Sequence, residues 1–391
     1  MSSIHLGPNS TPRRTIDDPV ARSRGTFVRA RRRWGFATLA AIALSVGSIG
    51  CFSEPGESDA PTKQEFVVRS RQYTVDAIFR SMKGPQGKQA IFLGDLKKKP
   101  ELIWITGYKT KIIDPETGER VSDEFMCHSN LGIHNMDRHA QIFGAQPPGR
   151  SRLFTLSQGT MDVEFPEGFG IPILSNEKLA LVTQVLNLNP QPAPVEVQHE
   201  TTIEYVKDAD LKQPMKALFQ VGAQAMVLLE GENPYYGVSE PDPEIHGEGC
   251  LLGEPAGELE HKDSSDQTFL GHWVVPPGRQ ENHSLVTHWL ALREDTTIHA
   301  IAVHLHPFAE SLALRDLTTG ETVYKAIARG PKESIGLNHV DFFASPEGIP
   351  IYKDHQYEVV SVYDNVSGVD QDAMAIMFLY MHDPGFVKPS L

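Results

Sequence analysis

The chain has 391 residues, 40% of them hydrophobic, and a formal net charge of −14 from 36 Lys+Arg and 50 Asp+Glu. That is enough apolar material for two ordinary domains and too little for a protein that crosses a membrane many times. The first fifty residues hold 8 Arg and 2 Asp, which leaves 28 basic and 48 acidic groups, a net of −20, on the rest; this excludes nucleic acid and anionic membrane surfaces as its partners.

The N-terminal segment sets the compartment. Residues 1–33 are polar, with Arg22, Arg24, Arg29 and the run Arg31–Arg33. Trp34 to Gly50 is apolar and uncharged, and Cys51 follows. A basic stretch, a short apolar core and small residues before a cut site describe an export signal. The cysteine after Gly50 resembles a bacterial lipoprotein signal, which implies cleavage before Cys51 and lipid on its sulfur. Ser48 departs from that pattern, where Leu is usual. A plain cleaved signal and an uncut anchor are the other readings. All three place the remainder outside the cytoplasm, on the periplasmic or cell-surface side. Residues 52–63, polar with Pro and Gly, read as a flexible tether.

Strand signals recur from Phe66. VVRSRQYTVDAIF and ELIWITGYKTKIID alternate apolar and polar residues, and the turn PETGE closes the second. RLFTLSQGTMDVEF, KLALVTQVLNLN and TTIEYV continue the pattern, giving a β-rich domain over 64–200. A second domain over 201–386 opens with KALFQVGAQAMVLLEG and carries a loop insertion at 232–268. QTFLGHWVVPPGR, HSLVTHWLALRE, IHAIAVHLHPFAESLALRDL, ETVYKAIA, QYEVVSVYDN and DAMAIMFLYMHD follow as strands. Strands at this spacing predict an all-β chain of two β-sandwiches, each strand burying one face against a facing sheet. There is no Gly-rich phosphate loop and no G-x-S-x-G elbow.

Candidate chemistry centres on His304 and His306. Residues two apart in a strand face one side, so both imidazoles point together, spaced to grip one metal ion. The plainer alternative is two histidines on a polar strand face. Met374 lies in the apolar segment DAMAIMFLYM; a thioether beside two imidazoles selects copper over zinc. Core packing is the ordinary fate of such a methionine. His272, His283 and His288 flank the Pro-Pro turn and read as surface or core polar groups. Tyr357, Tyr363 and Asp364 precede Met374 and read as packing or support. Cys127 and Cys250 leave a disulfide, a ligand role for Cys127, or buried thiols open.

From about 184 to 384 the chain resembles the copper type II, ascorbate-dependent monooxygenases, the family of the peptidylglycine α-hydroxylating enzymes and dopamine β-monooxygenase. VVPPG (274–278) resembles its Pro-Pro turn, HLHPFAESLALRDLTTGETVY its His-x-His strand and hairpin, and YEVVSVYDN with DAMAIMFLYM its closing strands. The resemblance implies two tandem jelly-roll sandwiches facing across a cleft. It implies His304, His306 and Met374 as ligands of an oxygen-binding copper. It also implies O2, a reductant such as ascorbate, and a small-molecule or peptide substrate. The family's first copper takes three histidines, two of them adjacent. Here Cys127-His128 stands at the pair, and Leu186 in QVLNLN stands at the third position. His134 or His139 could compensate, since His128 and His134 share a face of a regular strand. One or two copper ions are therefore expected. The competing expectation is a lipid-anchored mononuclear copper-binding protein without turnover.

Overall fold

The computed structural model describes residues 62–144, 151–229, 260–262 and 266–390. The segment read as an export signal with Cys51, most of the expected tether, Cys250 and most of the expected 232–268 insertion lie outside the described residues. Among the described residues no helix is long and apolar enough to cross a membrane.

The alternating segments fold as strands. In the N-terminal half these are β1 (Gln64–Val75), β2 (Gln86–Ile91), β3 (Leu102–Ile113), β4 (Met126–Ile133), β5 (Arg152–Leu156), β6 (Asp162–Glu164), β7 (Phe169–Leu174), β8 (Leu179–Val185) and β9 (Val195–Lys207). The sheet β1-β9-β3-β7, with β6 beside β3, faces the sheet β2-β8-β4-β5. Ile103, Ile105 and Tyr108 of β3 and Ile203 of β9 meet Leu131, Phe154 and Leu181 in the core between them. Strand β9 runs through residue 200, the boundary expected from the sequence.

The second half continues with β10 (Lys216–Gln224), β11 (Val227–Leu228), β12 (Glu260–Lys262), β13 (Thr268–Leu270), β14 (Trp273–Val275), β15 (Gly278–Leu285) and β16 (Thr296–Leu305). Then come β17 (Ala309–Asp316), β18 (Thr322–Arg329), β19 (His339–Val340), β20 (Phe343–Ile351), β21 (Tyr357–Asn365), β22 (Gln371–Ala373) and β23 (Ala375–His382). The fold is all-β, as expected. Its second sandwich sets β10-β23-β16-β20 against β15-β21-β17-β18-β19.

The sheet β10-β23-β16-β20 is buried on both faces. Ile301, Val303 and Leu305 of β16 and Met377, Leu379 and Met381 of β23 enter the core of the second sandwich. The alternate residues, Ala300, Ala302, Phe378 and Tyr380, pack into the core of the first half. Two-sided burial explains why IAVHLHPF reads as a continuous apolar run rather than an alternation. Tyr380 lies 5.6 Å from Phe154 and 4.9 Å from Phe165, ring to ring. Each such buried aromatic contributes about 1.5–3 kcal/mol. A short parallel pairing, Lys216↔Phe169 and Ala217↔Gly170, joins the main sheets of the two halves. The halves also cross at Gly159, where a Cβ would lie 2.8 Å from Val340 Cγ2; only glycine fits this approach.

Two local expectations are corrected. HSLVTHWLALRE does not extend as one strand: β15 ends at Leu285 and Thr287–Leu290 forms a helical turn that stops at Ala291, φ 46°. The segment after β4 forms a helix, α1 (Met136–Phe143), capped by Asn135, whose side chain accepts from the Arg138 N–H. His139 and Phe143 lie on its buried side, a helical spacing inside a sequence otherwise read for strands.

Candidate metal centre

Alternation in β16 puts His304 on the side of Ala300 and Ala302, turned toward the first half. His306 follows the strand end, and the two rings sit 5.2 Å apart between centroids, nearly perpendicular. The two rings of the expected pair are thus neighbours, although His306 lies outside the strand. The antiparallel register pairs His304 with Ile376 and Leu305 with Ala375, and His306 and Met374 are the residues next after this last pair. Register thus closes a long sequence separation. Tyr363 secures the corner: its hydroxyl donates to the Met374 carbonyl at 2.7 Å and accepts from the His306 backbone N–H at 3.4 Å.

His304 and Met374 line a cavity of about 390 Å³ between the halves. Ile376 and Phe378 of β23 continue their wall. The opposite wall carries His128 and Asn130 of β4, Thr155 and Arg152 of β5, and Lys88 of β2. Met82 joins it with φ 66°, a left-handed backbone that a methionine rarely adopts. The charged groups on this lining are the two cations, Lys88 and Arg152.

Burial governs the imidazoles. It lowers His304 well below the usual histidine range, helped by His306, His128 and Arg152. It lowers His128 to about 3, helped by Arg152, His199 and His306. Neutral rings result, the form in which histidine binds metal. His304 Nδ1 is buried and has no hydrogen-bond partner among the described residues. Leaving such a nitrogen unpaired costs about 1–3 kcal/mol, so it asks for a ligand.

Beside this pair lies a group that sequence reasoning did not assemble. His272 precedes β14, and β14 pairs with β22 through Trp273↔Ala373 and Val274↔Asp372. Asp372 Oδ2 accepts from His272 Nε2 at 3.0 Å and lies 3.1 Å from His306 Nδ1. The second contact is near enough for charge attraction but is not aligned as a hydrogen bond. Burial alone would raise the Asp372 carboxyl; His306 and His272 outweigh it and hold the group far below the usual carboxylate range. One donor atom from each of His272, His306 and Asp372 lies within 4.8 Å of the others, and all three residues are buried. This group could hold a metal ion. His272, read from sequence as a surface or core polar group, is thus part of it.

The N-terminal wall holds less. His134 does not join His128: it lies beyond the end of β4, exposed in the bend before α1, while His128 is buried. Six residues of a regular strand span roughly 20 Å, so sharing a face does not bring the two rings together, and β4 stops at Ile133 in any case. His139 pairs instead with Glu177 at 3.0 Å. Leu186 is buried core. Cys127 is a buried thiol that donates to Gln184 Oε1 at 3.8 Å; burial pushes it up to about 12, so it is protonated. His199 on β9 is a further buried imidazole, lowered by burial to about 3. Neither of its ring nitrogens makes an aligned hydrogen bond, although the Gln184 backbone offsets a little of the burial effect.

No family model matches the chain, and no curated protein matches it. Solved structures give loose similarity only. Recombinant N-glycanase F (PNGase F) has 9% identity and a TM-score of 0.32, covering 82% of this chain and 95% of that chain. A peptide-N(4)-(N-acetyl-beta-D-glucosaminyl) asparagine amidase has 9% identity and a TM-score of 0.31, over 82% and 98%. The STIV MCP has 9% identity and a TM-score of 0.28, over 82% and 97%. Scores this low carry no argument about the site.

Proposed function

We propose that the chain is an exported, lipid-anchored copper protein of monooxygenase type, which oxidises an organic substrate with O2 and an external reductant such as ascorbate. The observation that carries this reading is that His304 and Met374 line one cavity, with the His306 ring 5.2 Å from that of His304. The residues fit copper. Two buried imidazoles accept Cu(II), a thioether favours Cu(I), and His304 Nδ1 has no other partner among the described residues. Copper held there would supply one-electron chemistry with O2.

The chain's own residues do the rest. Tyr363 fixes the backbones of His306 and Met374. Ile376 and Phe378 line the cavity beside the metal position with apolar surface that excludes water. Asn130 and Thr155 across the cavity offer polar contacts to orient a small molecule or peptide end. Lys88 and Arg152 bias the cavity toward neutral or anionic substrates.

A second reading is favoured by one observation. Among the described residues, the wall opposite contributes the single imidazole of His128. A copper-binding protein without turnover needs only the richer wall. One experiment separates the two: copper content of the purified full chain, with O2 consumption under ascorbate. Copper retained by the wild type and lost in His304→Ala supports the site. Ascorbate-driven O2 consumption above the His304→Ala background supports the enzyme; copper without it leaves the binder. No retained copper sinks both.

A further inference from the structure

The geometry points to a second metal position at His272, His306 and Asp372, suited to a borderline divalent ion such as Zn2+ or Fe2+ rather than to Cu(I). It goes beyond the copper reading and does not depend on it.

Two imidazoles and one carboxylate are the protein donors of many zinc sites, and the same set on one face binds Fe(II). A tetrahedral site with bonds of about 2.0–2.1 Å has donor–donor edges of roughly 3.3 Å. Here Asp372 Oδ2 lies 3.0 Å from His272 Nε2 and 3.1 Å from His306 Nδ1, close to those edges. The three donors together lie within 4.8 Å. His306 Nδ1 is buried with no aligned hydrogen bond among the described residues, although it lies beside a carboxylate. Three separate segments hold the donors. The β14–β22 ladder fixes His272 beside Asp372, and the end of β16 supplies His306. Three protein ligands leave a coordination position open, the arrangement of catalytic rather than structural zinc. Binding through Nε2 moves the His272 ring proton to Nδ1, so the ring binds as a neutral imidazole.

His306 is the pivot. Its ring stands between His272, at 5.3 Å, and His304, at 5.2 Å, edge-on to both. Its Nδ1 faces Asp372, which leaves Nε2 on the far edge of the ring for the His304–Met374 position. The two positions therefore differ in hardness and share one residue, and filling both would make His306 a bridging imidazolate whose ring proton leaves to solvent.

The test titrates chelator-stripped full-length protein with Co2+, whose visible bands report a site of this geometry, and separately with Cu(I) against a competing chelator. Wild type should bind one Co2+. His272→Ala and Asp372→Asn should each weaken Co2+ by more than the roughly 10–100-fold that a change outside the ligand sphere costs. Met374→Leu should leave Co2+ binding unchanged. If Asp372→Asn fails to fold, His272→Gln, which keeps an amide near Asp372, replaces it. Unchanged Co2+ affinity in folded His272 and Asp372 variants overturns the proposal, as does equal loss in Met374→Leu. Absence of Cu(I) binding in wild type would defeat the copper reading and leave this result standing.

Discussion

The two walls of the central cavity are built from similar sheets yet carry unequal chemistry. The C-terminal wall carries His304 and Met374, with His306, His272 and Asp372 grouped beside His304. The N-terminal wall offers His128 among Asn130, Thr155 and two cations. The difference follows from where the residues sit on their strands. His272 precedes β14, His306 follows β16, and Met374 falls between β22 and β23. At strand ends the backbone leaves the ladder, and side chains from several segments can aim at one point. His128 and Asn130 lie within β4, whose neighbours on either side already fix their directions. Cofactor sites concentrate at the ends of elements for this reason.

The sharpest way to break the comparison is to remove the residue shared within the rich wall. His306→Ala should abolish both Cu(I) and Co2+ binding, while His128→Ala should leave Co2+ affinity unchanged and the thermal midpoint of the Co2+ complex still raised over the metal-free protein. Metal titration of both variants decides it. If His128→Ala removes Co2+ binding as fully as His306→Ala does, the inequality between the walls is false.

Acid sensitivity sharpens the comparison from the other side, because the N-terminal half buries neutral histidines. His128 and His199 are both lowered from 6.5 to about 3 by burial. Between those values the unfolded chain binds more protons than the folded one. Stability is therefore complete above about pH 6.5 and falls as pH drops through the window. Each group costs about 1.4 kcal/mol per pH unit, so near pH 5 each removes about 2 kcal/mol. Urea unfolding at pH 7.5 and pH 5 should show this loss, and His199→Leu should recover about 2 kcal/mol of it. An unchanged pH slope in that variant would show that His199 is not held neutral by burial.

How far the sequence foretold this arrangement depends on whether a feature is local. The all-β class was legible from alternation in segments such as ELIWITGYKTKIID, because a strand's two faces meet different surroundings. The nearness of the His304 and His306 rings was legible because the two residues stand two apart in the sequence. Met374 needed the β16–β23 register, which a resemblance suggested and the pairing Leu305↔Ala375 now carries. Asp372 and His272 were not legible, since they meet only through the three-residue ladder of β14 and β22. His199 was missed although its signal was present: it falls on the apolar phase of Val197, Thr201 and Ile203, all buried. Helix α1 was missed because its neighbours were all strands, despite Asn135 standing as a cap.

A smaller effect concerns support rather than ligation. Tyr363→Phe removes one hydroxyl that joins the Met374 carbonyl to the His306 N–H. Both are buried, so the loss should cost about 1–3 kcal/mol. Cu(I) affinity should fall within the roughly 10–100-fold range of outer-sphere partners. The metal-free protein should keep its fold by circular dichroism. Copper affinity equal to wild type would mean that the corner is held by the β16–β23 ladder alone.

The smallest effect is the one that tests the poor wall most directly. His134 stands exposed after β4, with its backbone N–H donating to the Lys178 carbonyl at 3.0 Å. That bond is made by the main chain, so a side-chain substitution leaves it in place. His134→Ala should therefore change stability by no more than about 0.5 kcal/mol, the usual range for an exposed position. It should also leave Cu(I) stoichiometry unaltered, in contrast to His304→Ala. A regular strand through residue 134 would still hold the two rings roughly 20 Å apart, and β4 ends one residue earlier. A measurable drop in bound copper on His134→Ala would mean that the chain around 134 folds back on His128 when metal is present. The N-terminal wall would then be a second site completed by the ion itself.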